Sequence, residues 1–174
     1  MSAPADKRAA LVERIRSGAC AGERLGEVDL SGCDLSGVDL SDARLSGAAL
    51  KGVDLSGANL RGAFFDGADL REANMRDAQL EFAVLGAADL SGADLSGANL
   101  QRANLVGTKA LGARFDGARM YYSRPGNADF RNASLRGCDI QRAIFRRANL
   151  SGADLRDATG EANFENASME GTLR

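Results

Sequence analysis

Histidine and tryptophan are both absent from this 174-residue chain, and proline occurs only twice. Without histidine the chain lacks the commonest general base and the commonest metal ligand, which argues against most hydrolytic and zinc-dependent enzymes. Aromatic residues make up only 5% of the sequence although hydrophobic residues make up 44%, so the core must consist mainly of small aliphatic side chains. The formal net charge of −2 favours no particular class of partner.

Other sequence signals of chemistry or targeting are also missing. The three cysteines, Cys20, Cys33 and Cys138, are an odd number at wide spacing, which predicts reduced thiols and no zinc site. No phosphate-binding loop or nucleotide fingerprint occurs, and the apolar runs are too short for a membrane helix. The first residues lack a hydrophobic signal segment, so we expect a cytoplasmic protein. Because catalytic and ligand-binding motifs are missing, we also expect that it is not an enzyme and needs no cofactor or metal.

What the chain does contain is one short sequence motif that repeats many times. Residues 88–100 read ADLSGADLSGANL, and the pattern extends over most of the sequence. Leu, Phe, Met or Ile occupies every fifth position from Leu25 to Leu155, except at Ala110 and Pro125. A small residue, most often Ala, stands two positions before each of these positions after Leu25, with Asp or Asn usually between. The repeating unit is therefore Ala-(Asp/Asn)-Leu-X-X.

A period of five residues fits neither regular secondary structure. On an α-helix each step of five rotates the Leu by about 140°, which spreads the Leu side chains over all sides. On a straight strand an odd period sends successive Leu side chains to opposite faces. A chain that turns at every repeat keeps them all on one side, and a chain that keeps turning the same way becomes a stacked solenoid.

The motif resembles the consensus of the pentapeptide-repeat family over roughly Leu25 to Met169. This resemblance implies an all-β solenoid, a right-handed quadrilateral β-helix with about twenty residues per coil. We expect about seven coils and a short N-terminal capping helix. Some members of the family resemble duplex DNA in size and charge, and they bind type II topoisomerases and protect them from quinolones or other poisons. The resemblance identifies the fold more specifically than the function.

The repeat predicts the organisation of the chain. Residues 1–22 form a capping helix and lead-in, with the helix over 4–17, Ser2 or Ala3 as its N-cap and Gly18 at its end. Residues 23–170 form the β-helix, with a slip of phase at Thr159-Gly160, and residues 171–174 form a tail. The stretch SRPGN (123–127) is either a protruding loop or a locally poor repeat, because Pro125 cannot donate a ladder hydrogen bond.

If residues twenty apart stack, one side of the solenoid differs from the rest. Large apolar and arginine side chains replace Asp, Ser and Gly along this side and its corner, which predicts a protein interface. The alternative is sequence drift at tolerant surface positions. The candidate interface consists of Phe64, Phe82, Val84, Arg102, Tyr121, Tyr122, Arg124, Arg142 and Ile144.

Two other sides carry columns of acidic residues. They are compatible with a DNA mimic that binds DNA gyrase or topoisomerase IV, which is the alternative function that the family resemblance implies. A simpler interpretation is that these side chains hydrogen-bond to the turns that follow them. The candidate acidic residues are Asp29, Asp34, Asp54, Asp69, Asp89, Asp94, Asp129 and Asp154.

The leading prediction is a non-enzymatic interaction rod with a protein partner. Basic residues outnumber acidic ones from Arg102 to Arg147, but four sides distribute them around the rod, so we expect no direct nucleic-acid binding. No helix is suited to a membrane surface, and we expect no membrane partner. Because Phe164, Met169 and Leu173 follow the last full repeats without a helix to cover them, we expect a homodimer through the C-terminal coil.

Overall fold

The computed structural model describes residues 4–174, so the proposed N-caps Ser2 and Ala3 lie outside the described residues. The chain begins with one helix, α1, Pro4–Arg16. Gly18 ends it with a φ of 78°, a left-handed conformation that glycine adopts without steric cost. The N–H of Gly18 donates to the Ile15 carbonyl at 3.0 Å and that of Ala19 to the Arg14 carbonyl at 3.3 Å. These two bonds form a Schellman motif.

After α1 the backbone pairs with itself at a spacing of twenty residues. The pairs are single-residue parallel bridges, beginning with Arg24 and Arg44 and recurring at every fifth residue. Four bridges therefore succeed one another in each coil, which gives the solenoid four sides. Within residues 4–174 no strand is longer than one bridge, because a turn separates each bridge from the next.

The repeat places its large and small apolar residues inside the coils. Leu95, for example, is fully buried, and its N–H donates to the Arg114 carbonyl of the following coil at 2.7 Å. Ala93, two residues earlier, is also fully buried and fills the space beside it. Phe rings replace Leu at four core positions, and the rings of Phe115 and Phe130 lie 5.4 Å apart. The narrow interior is thus one continuous core.

The stretch SRPGN does not protrude as a loop. Lys109 pairs with Asp129 on the next side, so the spacing of twenty residues continues past Pro125. Within the described residues the series has one interruption, the missing bridge between Arg124 and Ile144, and its cause is chemical: proline has no N–H to donate. The Ile144 N–H still donates to the Ser123 carbonyl at 3.0 Å. The stretch is therefore a repeat with one missing ladder bond.

The last coil is one residue shorter than the others. Asp139 pairs with Thr159, whereas Ile144 pairs with Asn163, which confirms the predicted slip after Thr159. Gly160 absorbs the change at a φ of 93°, where a Cβ would lie 2.6 Å from the Gln141 Cα. No other residue fits there without moving backbone. The ladder then continues to Leu173, which pairs with Asp154 inside the predicted tail.

Helix α1 packs against the first coils. Ile15 is fully buried, and Leu11 and Val12 are half-buried against the same core. The Arg16 guanidinium donates to the Asp34 carbonyl at 2.9 Å, and Arg8 donates to the Ser31 carbonyl. Because these bonds satisfy carbonyl groups of the solenoid, α1 acts as a cap. Within the described part of the chain, no helix has the length and apolarity needed to span a membrane.

The core predicts a sharp positional contrast between two leucines. Leu95→Ala removes a fully buried side chain and should lower the free energy of unfolding by about 2–5 kcal/mol. Leu111→Ala removes the same atoms from a side chain that is 43% exposed and should cost less than about 1 kcal/mol. Urea unfolding of both variants tests this, and equal losses would contradict the inward placement of the repeat leucines.

Candidate interaction surface

Four stacked side chains form the most distinctive surface feature. Phe82, Arg102, Tyr122 and Arg142 follow one another at intervals of one coil, and we call them the aromatic–arginine ladder. The Arg102 guanidinium lies 5.7 Å from the Phe82 ring and 5.8 Å from the Tyr122 ring, between the two aromatic groups. The Arg142 guanidinium lies 5.1 Å from the Tyr122 ring and donates to its hydroxyl. Each neighbouring pair is thus a cation–π contact.

The ladder stands at turn positions that favour glycine. The four residues have φ values of 61°, 58°, 55° and 60°, in the left-handed region. A bulky residue there costs about 1 kcal/mol relative to glycine. At the other three corners most residues at the equivalent turn positions are Gly, and the non-glycine ones are chiefly Asp, Asn, Glu or Ala. Four large side chains in succession at left-handed positions are therefore specific to this corner.

The other candidate interface residues fall into separate groups. The Tyr121 ring meets the Tyr122 ring edge-on, with centroids 4.6 Å apart, and extends the ladder sideways. Phe64 and Val84 pair along the adjacent side, where Asn104 separates them from Arg124. Arg124 and Ile144 lie farther along the rod. The structure thus divides the predicted patch into the ladder, the Phe64–Val84 pair, and a cleft that contains Arg124 and Ile144.

That cleft, which we call the proline cleft, holds about 280 Å³. Several of its residues, including Arg146 and Arg147, were not predicted as site residues. A second unpredicted neighbour is Arg61, whose guanidinium lies 5.3 Å from the Phe82 ring. Stacking by exact multiples of twenty does not reveal diagonal contacts of this kind. The proline cleft is lined by Val106, Arg124, Gly126, Asn127, Ile144, Arg146 and Arg147.

The acidic residues serve the turns of the solenoid. In each of the eight, one carboxylate oxygen accepts the backbone N–H two residues further on, at 2.9–3.2 Å. This bond satisfies an outward N–H that the backbone hydrogen bonds between coils leave unpaired. The bonded residues are Asp29, Asp34, Asp54, Asp69, Asp89, Asp94, Asp129 and Asp154.

The pKa of seven of these eight carboxylates lies below its usual value, and neighbouring arginines offset part of their negative charge. The N–H groups of Ser31 and Ser36 hold the pKa of Asp29 and of Asp34 below the usual range. The Arg156 guanidinium, 2.6 Å from Asp154, lowers the pKa of that carboxyl to about 2. Ion pairs of the same kind join Asp69 to Arg71, Asp94 to Arg76 and Asp129 to Arg131.

The C-terminal end of the rod exposes part of its interior. Phe164 and Met169 are half-buried against the core, and Leu173 is 49% exposed. The Phe164 ring stacks on the Phe145 ring with centroids 5.2 Å apart, and the Arg174 guanidinium lies 5.6 Å from the centre of the Phe164 ring. A terminal cleft of about 220 Å³ lies here, lined by Ile140, Leu155, Asp157, Ala158, Phe164 and Arg174.

Comparison with known proteins identifies the family. The family model described as Pentapeptide repeats matches eight copies, over residues 24–62, 50–85, 83–120 and 126–159. The chain belongs to the family of pentapeptide repeat proteins, which fold as right-handed quadrilateral β-helices. No curated protein matches the sequence. The matched segments omit residues 121–125, which contain parts of both the ladder and the proline cleft.

The similarity to one solved structure supports the fold. A trypsin-treated form of QnrB1, a plasmid-mediated fluoroquinolone resistance protein, is 20% identical with a TM-score of 0.51, covering 82% of this chain and 85% of its own. HetL, a pentapeptide repeat protein involved in heterocyst differentiation regulation in the cyanobacterium Nostoc, is 27% identical with a TM-score of 0.26, covering 93% and 94%. A pentapeptide repeat protein of the Arabidopsis thaliana thylakoid lumen is 32% identical with a TM-score of 0.31, covering 74% and 72%.

The ladder predicts that stacking offsets the strain of its left-handed turns. Tyr122→Gly relieves about 1 kcal/mol of backbone strain and loses two exposed cation–π contacts of about 0.5–1 kcal/mol each. Its free energy of unfolding should therefore stay within about 1 kcal/mol of the wild type.

The matched control places the same ring where it has no arginine neighbours. Gly67 has a φ of 63° and open space around it, its N–H donates to the Gly86 carbonyl, and Gly47 and Ala87 lie one coil away on either side. Gly67→Tyr should be clearly destabilising in urea unfolding because nothing offsets its strain. If it were as stable as the wild type, the stacking contacts would have no compensating role.

Proposed function

We propose that this chain is a non-enzymatic interaction rod that binds a protein partner through the aromatic–arginine ladder. The observation that carries the proposal is the exposure of large side chains that stack on one another: Phe82 is 45% exposed and Tyr122 is 36% exposed. Aromatic and arginine residues dominate the energetics of protein interfaces. Side chains that already stack on one another lose little conformational freedom on binding, which favours affinity.

The conformational cost of the ladder supports the same proposal. Stability alone gives no reason for these side chains, because their stacking only offsets a strain that glycine avoids, as at Gly62 one coil earlier, with a φ of 67°. Functional surfaces commonly retain strained or destabilising residues for the sake of binding. The acidic residues, in contrast, stabilise the fold, because each one accepts a hydrogen bond from the backbone of its own turn.

A second candidate is a DNA mimic that binds DNA gyrase or topoisomerase IV and protects against topoisomerase poisons. The observation in its favour is that the acidic columns remain ionised, with the pKa of Asp54 held low by Ser56. The similarity to QnrB1 supports the fold that such a function requires. Against it, arginines pair with Asp69, Asp94, Asp129 and Asp154 and reduce the charge of the columns.

Two matched double variants separate the candidates. Arg102→Asn with Tyr122→Asn replaces the two central side chains of the aromatic–arginine ladder with asparagine, which tolerates left-handed turns. Asp69→Asn with Asp89→Asn removes two acidic charges but keeps an oxygen to accept the turn N–H, as Asn59 does for Arg61 at 3.3 Å. Both variants should melt within a few degrees of the wild type, so that a change in binding is not a change in folding.

Each variant is then tested for capture of partners from source-cell extract and for protection of gyrase supercoiling against a fluoroquinolone. We expect the ladder variant to lose its reproducible partners and the acidic variant to retain them. Loss of gyrase protection in the acidic variant alone, with unchanged capture by the ladder variant, would reject the ladder proposal and favour the DNA mimic.

We also propose that two chains associate through the C-terminal coil. Apolar groups at the rod end, Phe164 and Met169 among them, lack full cover within the described residues. An end-to-end contact would bury them and would pair the open edge of the last coil. The same contact would lengthen the rod without covering the ladder.

A charge at the rod end should abolish this association. Leu173→Asp introduces a carboxylate beside the terminal apolar groups, and burying it in a dimer is unfavourable. The matched control is Leu111→Asp, on a side of the rod, where the leucine is similarly exposed at 43%. Sedimentation velocity should show a dimer for the wild type and the control and a monomer for Leu173→Asp. A monomeric wild type at high concentration would reject the proposal.

A further inference from the structure

One turn of the solenoid leaves a buried backbone N–H without an acceptor. At most turns an Asp or Asn side chain accepts the outward N–H two residues further on, as Asn104 does for Val106 at 3.1 Å. One coil later the residue in the Asn104 position is Arg124, which has no acceptor to offer. Gly126, two residues beyond it, is buried. Within residues 4–174 its N–H forms no hydrogen bond.

A second unpaired N–H lies one coil further along, at the exposed Arg146. Ile144 also lacks a side-chain acceptor, and the Arg146 N–H is likewise unpaired within the described chain. Because Gly126 and Arg146 are twenty residues apart, their N–H groups belong to neighbouring coils, separated by about 4.8 Å. Both residues line the proline cleft. Two adjacent outward N–H groups form a cradle that favours negative charge.

Arginines surround this cradle. Arg124, Arg146 and Arg147 all line the proline cleft. Glu165 pairs with Arg146 at 3.5 Å, whereas Arg124 and Arg147 make no ion pair within the described residues. Arginine presents a planar fork of donors that matches phosphate and carboxylate oxygens. The cleft therefore combines unpaired backbone donors with at least two uncompensated cations.

The rest of the lining limits what the ligand can be. Val106 is 36% exposed and Ile144 40% exposed, so the cleft also has an apolar wall that suits a hydrocarbon stem beside the charge. The Ile144 carbonyl lacks its usual donor because Pro125 has no N–H, and within the described chain no other group donates to this carbonyl. This acceptor favours hydrogen phosphate, which retains a proton to donate, over an ionised carboxylate.

We propose that the proline cleft is an oxyanion-binding site, formed by the Gly126 and Arg146 N–H groups with the Arg124 and Arg147 guanidinium groups, for a phosphate or carboxylate. The replacement of the usual Asp or Asn by Arg124 creates the site in two ways. It frees the N–H that such a residue would occupy, and it places a cation beside it. The site is independent of the ladder, and binding by the isolated chain tests it without any partner.

Amide NMR provides the test. The probes are inorganic phosphate and sodium acetate, each titrated into the isotope-labelled full chain at constant ionic strength, with chloride as the balancing anion. We expect saturable shifts centred on the Gly126 and Arg146 amide resonances, with phosphate binding more tightly than acetate. Tighter binding of acetate than of phosphate would still support an oxyanion site and would assign it to carboxylates.

Three variants make the result decisive. Arg124→Asn restores the acceptor for the Gly126 N–H and removes a cation, and Arg147→Asn removes the other cation at a φ of 59° that Asn127 tolerates one coil earlier at 54°. Each should weaken phosphate binding about tenfold or more. Lys109→Asn makes the same change of charge and the same kind of turn outside the cleft, and should leave binding unchanged.

The opposite pattern would overturn the proposal. Shifts that are linear in anion concentration and spread over all basic residues would indicate general screening rather than a site. Equal weakening by Lys109→Asn and Arg124→Asn would lead to the same conclusion. Arg124→Asn should also raise the melting temperature, since it satisfies a buried donor, so weaker binding in this variant cannot result from unfolding.

Discussion

The whole architecture depends on one spacing, the twenty residues that separate the bridged residues of neighbouring coils, with nineteen in the last coil. This spacing holds the five-residue repeat in phase, so that every fifth side chain points inward and the core stays continuous. Once it is fixed, each outer position has a defined neighbour above and below. The surface of the rod is therefore a set of columns, and its chemistry is decided by which residues follow one another at that interval.

Much of the fold was readable from the sequence because the repeat states it many times. The inward leucines, the end of α1 at Gly18 and the slip after Thr159 all follow from local patterns with few alternatives. The conformation around Pro125 could not be predicted from the sequence, since a missing donor is compatible with either a loop or a gap in the backbone bridges between coils. The neighbouring sides decide it, because Asp129 is held in register from both directions, by Lys109 and by Asn149.

The surface was predicted less completely, for a different physical reason. Counting by twenty predicted the stacking of Arg102 between Phe82 and Tyr122, since those contacts run straight along the rod. Long side chains also lean across columns, as Arg61 does towards Phe82, and the repeat does not encode that direction. The proline cleft depends on groups that are left without partners, which becomes visible only when every backbone bond has been assigned.

The Asp and Asn side chains that bond the turns also affect how such a rod evolves. A single base change interconverts the two residues, and both supply the oxygen that the turn requires, as Asp54 and Asn59 do on neighbouring sides. Substitution between them alters electrostatics by one unit while leaving the backbone support intact. Lineages of such proteins are thus free to become more or less anionic through nearly neutral steps. The net charge of such proteins can therefore change during evolution while the shape of the solenoid stays the same.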